Sequence, residues 1–382
     1  MLLFIAKVQK NSQGRKGGIF EKKYYLCSLN KKSFEMKRLI VKNFGPIKEC
    51  ELNLGTVNVI TGLQSSGKSC ILKIASYCSF IEKSLSLDRK ISGEDFINIL
   101  ISYYNIGGYI KNSTYVEYET LFLRFVYDNS LKEFFVEWKE ERLNYKRRKV
   151  SYIPADRNLV ASLSSWENLR VLDGNLLDFM TDWDKARKFI KKEDNFLNLG
   201  MSYSYEEFSG GDNIELKNGH SLKLKDSSSG IQSLLPMYVH LDYLFNGQYE
   251  DKEKAWSLFE KQEYEKLREL YADKADNFIN TNHSEIFLEE PENNLFPPTQ
   301  CKFVDWLIEG AEKHDDFLFI ATHSPYVLNH LVKRNPKDLK VMFTYPCDDI
   351  ENTYSIKELS AEEVEEMYFN GVDMFFNFEM FL

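Results

Sequence analysis

The chain has 382 residues, with 49 basic and 58 acidic side chains and a net charge of −9. Hydrophobic residues make up 43% and charged ones 28%, the balance of a soluble globular protein with a large core, which excludes disorder, collagen and small disulfide scaffolds as the main class. The acidic balance also excludes a bulk polycation, so any nucleic-acid binding needs a local patch.

Residues 1–35 form a basic extension, with eight basic residues against two acidic ones, net +6, leaving −15 for the rest. Two readings stand: a real N-terminal extension, or an upstream start with Met36 as the natural first residue. The apolar opening Met1–Ala6 is cut by Lys7, too short for a signal segment, and no run reaches the ~18 apolar residues of a membrane span.

Residues 36–90 are expected to be the N-terminal part of a catalytic core. Leu39-Ile40-Val41, a Gly45-Pro46 turn and alternation through Leu52 and Leu54 predict a β-hairpin. Val57–Thr61 reads as a strand, followed by a Gly-rich loop and a helix from Lys68 to about Lys83. Residues 91–225 are expected to form a β-rich and helical insertion lobe. Its candidate strands are Tyr115–Tyr127, Phe134–Trp138 and Val150–Ile153. Residues 159–200 read as an amphipathic helix through Trp166, Leu169, Leu172, Leu176, Leu177 and Met180, and a hairpin over 214–225 turns at Asn218-Gly219.

Residues 226–345 are expected to complete the core. A helix begins near Gly230, and residues 249–275 read as a charged surface helix or helical pair. Ile286-Phe287-Leu288 and Phe317–Ala321 are short apolar runs that fit strands of a parallel sheet buried on both faces. Residues 346–382 form an aromatic C-terminal tail that either docks a partner or packs on its own domain. The six cysteines (27, 50, 70, 78, 301, 347) contain no CxxC pair and no zinc spacing with histidine, so reduced thiols in a cytoplasmic protein are expected. Cys70 has two readings, a small buried residue at a helix start or an oxidation-sensitive thiol.

Gly62-Leu63-Gln64-Ser65-Ser66-Gly67-Lys68-Ser69 fits G-x-x-x-x-G-K-[ST], between a strand and a helix. In such a loop, backbone N–H groups from Gly62 to Cys70 point at phosphates, Lys68 brings a positive charge to the β- and γ-phosphates, and Ser69 offers a hydroxyl to Mg²⁺. Three later segments narrow the chemistry. The strand Ile286–Leu288 delivers Glu289 and Glu290 before Pro291-Glu292, and two adjacent carboxylates alternate in direction, one toward a metal and one toward an attacking water. Ser227-Ser228-Ser229-Gly230 opens a helix, either as a plain N-cap or as an open anion site. Ala321-Thr322-His323-Ser324-Pro325 puts a histidine just beyond a buried strand, within reach of a γ-phosphate. A weaker signal is the basic run Lys146-Arg147-Arg148-Lys149, a solvated turn or a grip on DNA or RNA phosphates.

These motifs in this order resemble the ATP-binding-cassette type of ATPase. More narrowly the chain resembles the bacterial ATPases grouped with the OLD (overcoming lysogenisation defect) proteins, relatives of RecF and SMC heads. Leu39–Ile47, Tyr152-Ile153-Pro154-Ala155-Asp156-Arg157 and Asn294-Leu295-Phe296-Pro297 add to it, and it spans roughly residues 36–345. The resemblance implies an α/β P-loop NTPase with a mixed sheet flanked by helices. It also implies a homodimer closed head to tail over two ATP molecules, with Lys68 and Ser69 of one chain facing Ser229 and Gly230 of the other. Glu289 would hold Mg²⁺, Glu290 would polarise water, His323 would contact the γ-phosphate, and Asn294 would lie in the loop joining the two sites.

The chain departs from the pattern in places. Glu289 stands where cassette ATPases have Asp, no Gln lies between Gln64 and Gln232 to serve the Q-loop, and no long coiled coil is present. Only 59 residues follow His323, too few for the Toprim nuclease of full-length OLD proteins. The expected function is therefore an ATPase switch controlling a separate effector such as a nuclease, in anti-phage defence. The alternatives are a RecF- or SMC-like DNA clamp and a non-hydrolysing ATP-dependent scaffold.

Overall fold

The computed structural model describes residues 37–87, 89–162, 174–207, 211–250, 265–266, 268–269, 274–347 and 352–370. The basic extension, Trp166, Leu169 and Leu172, most of 249–275, and the end of the aromatic tail lie outside the described residues.

The expected hairpin is there: β1 (Lys37–Phe44) and β2 (Ile47–Leu54) pair antiparallel around Gly45-Pro46. β3 (Val57–Gly62) follows, buried along its whole length, and runs through the loop into α1 (Lys68–Ser86). Fifteen of the nineteen residues of α1 are buried, so it is a core helix rather than a surface one. Next come α2 (Gly93–Tyr104), β4 (Ile110–Glu119), β5 (Leu123–Asp128), β6 (Glu133–Trp138), β7 (Arg148–Ile153) and α3 (Gly174–Ile190). A small antiparallel sheet holds β8 (Lys192–Glu193), β9 (Met201–Glu206), β10 (Gly211–Leu216) and β11 (Ser221–Lys223). The chain then forms α4 (Ser229–Asp242), β12 (His283–Glu289), α5 (Pro297–Glu312), β13 (Phe317–Ala321), α6 (Pro325–Arg334), β14 (Leu339–Pro346), β15 (Tyr354–Glu358) and α7 (Ala361–Asn370).

Among the described residues, eleven strands make one sheet in the order β6-β5-β4-β1-β2-β15-β14-β3-β13-β12-β7. From β14 to β7 every neighbouring pair is parallel. Alternate residues of these strands enter two cores: Val59, Ile286, Leu288, Leu318 and Ile320 pack with α3, α4, α5 and α6, while Ile60, Phe287, Phe319 and Ala321 pack with α1 and the β1–β5 region. Burial on both faces explains why the sequence runs read as continuously apolar. The fold is a P-loop α/β architecture with a mixed sheet flanked by helices.

Several expectations are corrected. Tyr115–Tyr127 is two antiparallel strands, β4 and β5, because the chain turns back at Thr120, whose N–H bonds the Leu123 carbonyl at 2.8 Å. Residues 91–225 are divided rather than one lobe: β4–β6 extend the main sheet past β1, β7 pairs with β12, and β8–β11 form the second sheet. Residues 191–200 are not helical, since Lys191, Asn195, Leu197 and Asn198 take positive φ. The segment after 346 is more than a tail, because β15 inserts between β14 and β2.

β12 begins at His283, three residues before the apolar run, because a charge is buried there. Glu285 bonds Lys37 Nζ at 2.5 Å and also pairs with Arg148, which reaches Glu82 of α1 at 3.2 Å; all four side chains are fully buried. Burial opposes the Glu285 charge, but Arg148 and Lys37 outweigh it and hold this carboxyl well below the usual range. One network thus ties β1, α1, β7 and β12. Glu285→Gln would leave Lys37 and Arg148 facing a neutral amide, with Glu82 the one carboxylate left in this network, and should lower the unfolding free energy by about 3–5 kcal/mol. The urea midpoint at unchanged slope measures it, and a loss under ~1 kcal/mol would show the network to be dispensable.

Candidate nucleotide site

The loop after β3 is shaped by contacts of its own. Gly62 has φ +139°, and a Cβ there would lie 2.0 Å from Thr344 Oγ1, so no other residue fits this approach to β14. Ser66 Oγ donates to the Leu63 carbonyl at 2.6 Å and shares a 2.5 Å hydrogen bond with Thr344 Oγ1. Gly67 is the N-cap of α1, in the left-handed region and with no side-chain cap, so the first N–H groups of the helix face the loop unspent. The structure brings Ser66 and Lys68 inside, leaves Gln64 and Ser65 exposed, and half-buries Gly67 and Ser69.

Lys68 Nζ donates to the carbonyls of Gly62 and Leu63 at 3.1 and 2.5 Å. Burial pushes its ammonium down to about 8, with Glu290 and Glu292 pulling it back up. Cys70 is buried, its thiol 4.0 Å from the Phe44 carbonyl, and burial raises that thiol well above the usual range. The oxidation-sensitive reading of Cys70 is therefore corrected, because a thiol held protonated and inaccessible is inert. Only its backbone is left to face a phosphate.

β12 ends at Glu289. Its carboxylate is 7% exposed and accepts from the Ala155 N–H at 3.3 Å. The strand does not continue to Pro291, because Glu290 turns left-handed at φ +42°. Its N–H donates to Ala321 at 2.8 Å, and its carboxylate stands 3.5 Å from His323 Nε2. The adjacent carboxylates thus diverge as expected, through a turn rather than strand alternation. His323 is half-buried. Burial, and then the Lys68 charge, lower its pKa below the ordinary histidine value, with Glu290 opposing, which favours the uncharged ring. The backbone N–H of His323 donates to Glu292 Oε1 at 2.7 Å, a role the sequence did not reveal.

α4 begins at Ser229 with no side-chain cap on its N-terminus. A Cβ on Gly230 would meet the Asn294 carbonyl at 2.8 Å, so glycine permits this close approach. Asn294 is exposed, and its amide donates to Ser233 Oγ at 2.9 Å. Two further residues escaped sequence reasoning as parts of the site. Thr344 carries no motif, since threonine is ordinary in strands. Arg157 stood only within the Tyr152–Arg157 stretch. It is fully buried and donates to four backbone carbonyls: Pro154 at 3.2 Å, Ser233 at 3.1 Å, Glu289 at 2.9 Å and Glu290 at 2.8 Å.

The basic run is not a surface patch. Lys146 is exposed, but Arg147 donates to the Ile279 carbonyl at 2.9 Å, Arg148 is buried on Glu285 and Glu82, and Lys149 pairs with Asp182 at 2.6 Å. β7 begins within the run and carries Arg148 and Lys149 into the fold, so a contiguous grip on DNA or RNA phosphates does not exist here.

The donor set suits Mg²⁺: a serine hydroxyl and one carboxylate, both hard oxygens, next to a phosphate cradle. That ion is usually held by one or two protein oxygens plus phosphates and waters. Among the described residues no cluster of three or more His, Cys, Asp or Glu makes an all-protein cage, and none is needed for such a site.

Residues 141–328 match the family described as AAA ATPase domain. The matched stretch contains Arg157, Gly230, Glu289, Glu290 and His323 but not the P-loop, so the two signals are independent. The chain is also similar in structure to the SMC head domain from Thermotoga maritima, at 13% identity, covering 85% of this chain and 99% of that one, with TM-score 0.44. A Pyrococcus furiosus SMC head with an extended coiled coil, bound to the C-terminal domain of ScpA, gives 11% identity, 87% and 98% coverage and TM-score 0.43. An ATP-binding cassette of an ABC transporter in its ADP conformation gives 15%, 90% and 99%, and 0.37. No curated protein sequence matches the chain. Among the described residues no helix is long and apolar enough to cross a membrane.

The lowered pKa of Lys68 sets a pH dependence. Its ammonium is intact below about 8 and is lost above that, two units or so earlier than for an exposed lysine. Affinity for an ATP analogue should therefore be flat from pH 6.5 to 7.5 and fall between 8 and 9.5. A fluorescence titration across that range measures it, and a fall that starts only near 10 would contradict the burial argument.

Proposed function

We propose that the chain is a Mg²⁺-dependent ATP hydrolase working as a nucleotide-gated homodimeric switch. The observation that carries the reading is convergence. Lys68, Glu289, Glu290 and His323 stand at the carboxyl ends of adjacent parallel strands, where open α/β sheets bind their ligands, and Lys68, Glu290 and His323 act on one another electrostatically. In this reading Gly62 to Cys70 wrap the phosphates, and Lys68 turns its ammonium from the loop carbonyls to the β- and γ-phosphates. Glu290 orients the attacking water and takes its proton, and His323 contacts the γ-phosphate. The water oxygen bonds the γ-phosphorus in line as its bond to the ADP oxygen breaks, leaving ADP and inorganic phosphate. Ser69 and Glu289 would hold Mg²⁺, which would supply neutralisation of the phosphate charge.

The dimer rests on the resemblance and on the uncapped start of α4. Ser229 and Gly230 of one chain would meet the γ-phosphate held by the other, so ATP and ADP would differ in how firmly they hold the pair closed. The further step, regulation of a separate nuclease or toxic effector in a bacterial anti-phage system, is supported by the OLD-like resemblance alone. A second reading, a DNA clamp of the RecF or SMC kind, shares the same ATP chemistry but loses Lys146–Lys149 as its contact. Salt-sensitive, ATP-stimulated DNA binding would favour it.

Phosphate release and sedimentation test these readings. Lys68→Ala should lose ATP binding by at least tenfold. Glu290→Gln should bind ATP as wild type does, hydrolyse it at least a hundredfold more slowly, and accumulate as an ATP-bound dimer. If Glu290→Gln altered neither turnover nor assembly, the chain would be a non-hydrolysing scaffold instead.

A further inference from the structure

We infer that Arg157 is a positioning residue that couples the start of α4 to the backbone of Glu290, so that engagement of Ser229 and Gly230 sets the water-polarising carboxylate. The inference rests on the ATPase reading above and adds to it a route between the two halves of the site.

The geometry carries the argument. One guanidinium is bonded to carbonyls of three separate segments: Pro154 at the end of β7, Glu289 and Glu290 at the end of β12, and Ser233 in α4. A guanidinium is a planar fork with five N–H donors in fixed directions. Four acceptors placed around it cannot shift independently. If α4 moves and the β12 end does not, a donor and a carbonyl are left unpaired in a water-free interior.

The choice of acceptors is informative. Glu289, Glu290, Glu292 and Asp156 lie near enough to favour the Arg157 charge, which burial pushes down to about 10. Yet every hydrogen bond of the guanidinium goes to a main-chain carbonyl. The three glutamate carboxylates are thereby left for other work, and what Arg157 holds is backbone direction. At Glu290 that direction is a disfavoured one: φ is +42°, a region that non-glycine residues occupy only when their surroundings impose it. The surroundings are three hydrogen bonds: its N–H to Ala321, and to its carbonyl one from Arg157 and one from the Asn293 N–H at 3.0 Å. Without the Arg157 bond the carbonyl keeps only the Asn293 N–H, and the turn that brings the carboxylate to His323 is held less firmly. A second strut runs from the exposed Asn294, whose amide donates to the Oγ of the buried Ser233, beside the close contact of Gly230 with the Asn294 carbonyl. Helix α4 and the loop after β12 are thus joined twice.

Arg157→Lys tests this, because a single ammonium keeps the charge but cannot fan out to four acceptors. The variant should turn over ATP at least tenfold more slowly while its affinity for an ATP analogue stays within twofold. In a double-mutant cycle, Ser229→Ala should cost much less in the Arg157→Lys background than in wild type, since the route it acts through is already cut. Turnover within twofold of wild type, affinity lost in proportion to turnover, or an additive cycle would each overturn the inference. Should Arg157→Lys not fold, Ser233→Ala, which removes the hydroxyl that Asn294 bonds and leaves the Ser233 carbonyl in place for Arg157, carries the test: a two- to fivefold loss of turnover at unchanged affinity supports coupling, and unchanged turnover overturns it. A wild type that does not hydrolyse ATP overturns the functional reading and this inference with it, whereas an active wild type beside an unaffected Arg157→Lys overturns the inference alone.

Discussion

Parallel register is the constraint on which the site depends. Ile60 of β3 faces Ala321 of β13, and Ala321 faces Glu289 of β12. β12 and β13 therefore end level while β3 runs two residues further along β14 to Gly62, and beyond these ends each chain can turn. The ladder is carried past the last paired residues by two bonds, Thr322 N–H to the Ile60 carbonyl at 3.0 Å and Glu290 N–H to the Ala321 carbonyl at 2.8 Å. Slip any strand by one residue and its side chains change faces. Phe287 and Phe319, which stack at 4.4 Å on the α1 side, would then face the other core. Apolar alternation thus fixes the register, and the register fixes where the polar ends of the strands meet.

The charges beneath the site follow a division of labour. At Glu285, buried cations and a buried carboxylate satisfy each other and tie strands to α1. At Arg157 the cation bonds only carbonyls. The difference fits the two places. A pair that neutralises itself is suited to structure, though it leaves no charge to spare. A cation that leaves neighbouring carboxylates unbonded keeps Glu289 and Glu290 available as acceptors at the mouth of the sheet.

Much of this was legible in the sequence because it is encoded locally. The P-loop spacing, the Gly-Pro and Asn-Gly turns and the apolar strands 286–288 and 317–321 need no distant partner to be recognised. What was not legible depends on pairing across the chain. Glu285 reads as a polar residue ending a strand until Lys37 and Arg148 arrive from 248 and 137 positions away. Lys146–Lys149 reads as a surface cluster because sequence shows charge and not direction, and β7 turns Arg148 inward. Tyr354–Glu358 alternates too briefly to announce a strand, yet it fills a central position between β14 and β2. Thr344 had no signal at all, because its role is to lie opposite a glycine whose missing side chain makes the room.

The turn at Glu290 shows why adjacent carboxylates can take different tasks. In a continuing strand, Glu289 and Glu290 would point to opposite faces of the sheet, and one of them would enter the core packed around α1 or around α4. A left-handed residue directly after the last paired position ends the strand instead, so both acids stay at its carboxyl edge, one beside Ala155 and the other beside His323. That backbone conformation costs of order 1–2 kcal/mol for a residue with a Cβ, and glycine would adopt it freely but would carry no carboxylate. The strain is therefore the consequence of asking for an acid and a turn at the same position. The hydrogen bonds to its carbonyl from Arg157 and the Asn293 N–H, and from its own N–H to Ala321, each worth about 0.5–1.5 kcal/mol, are together of the size needed to hold it.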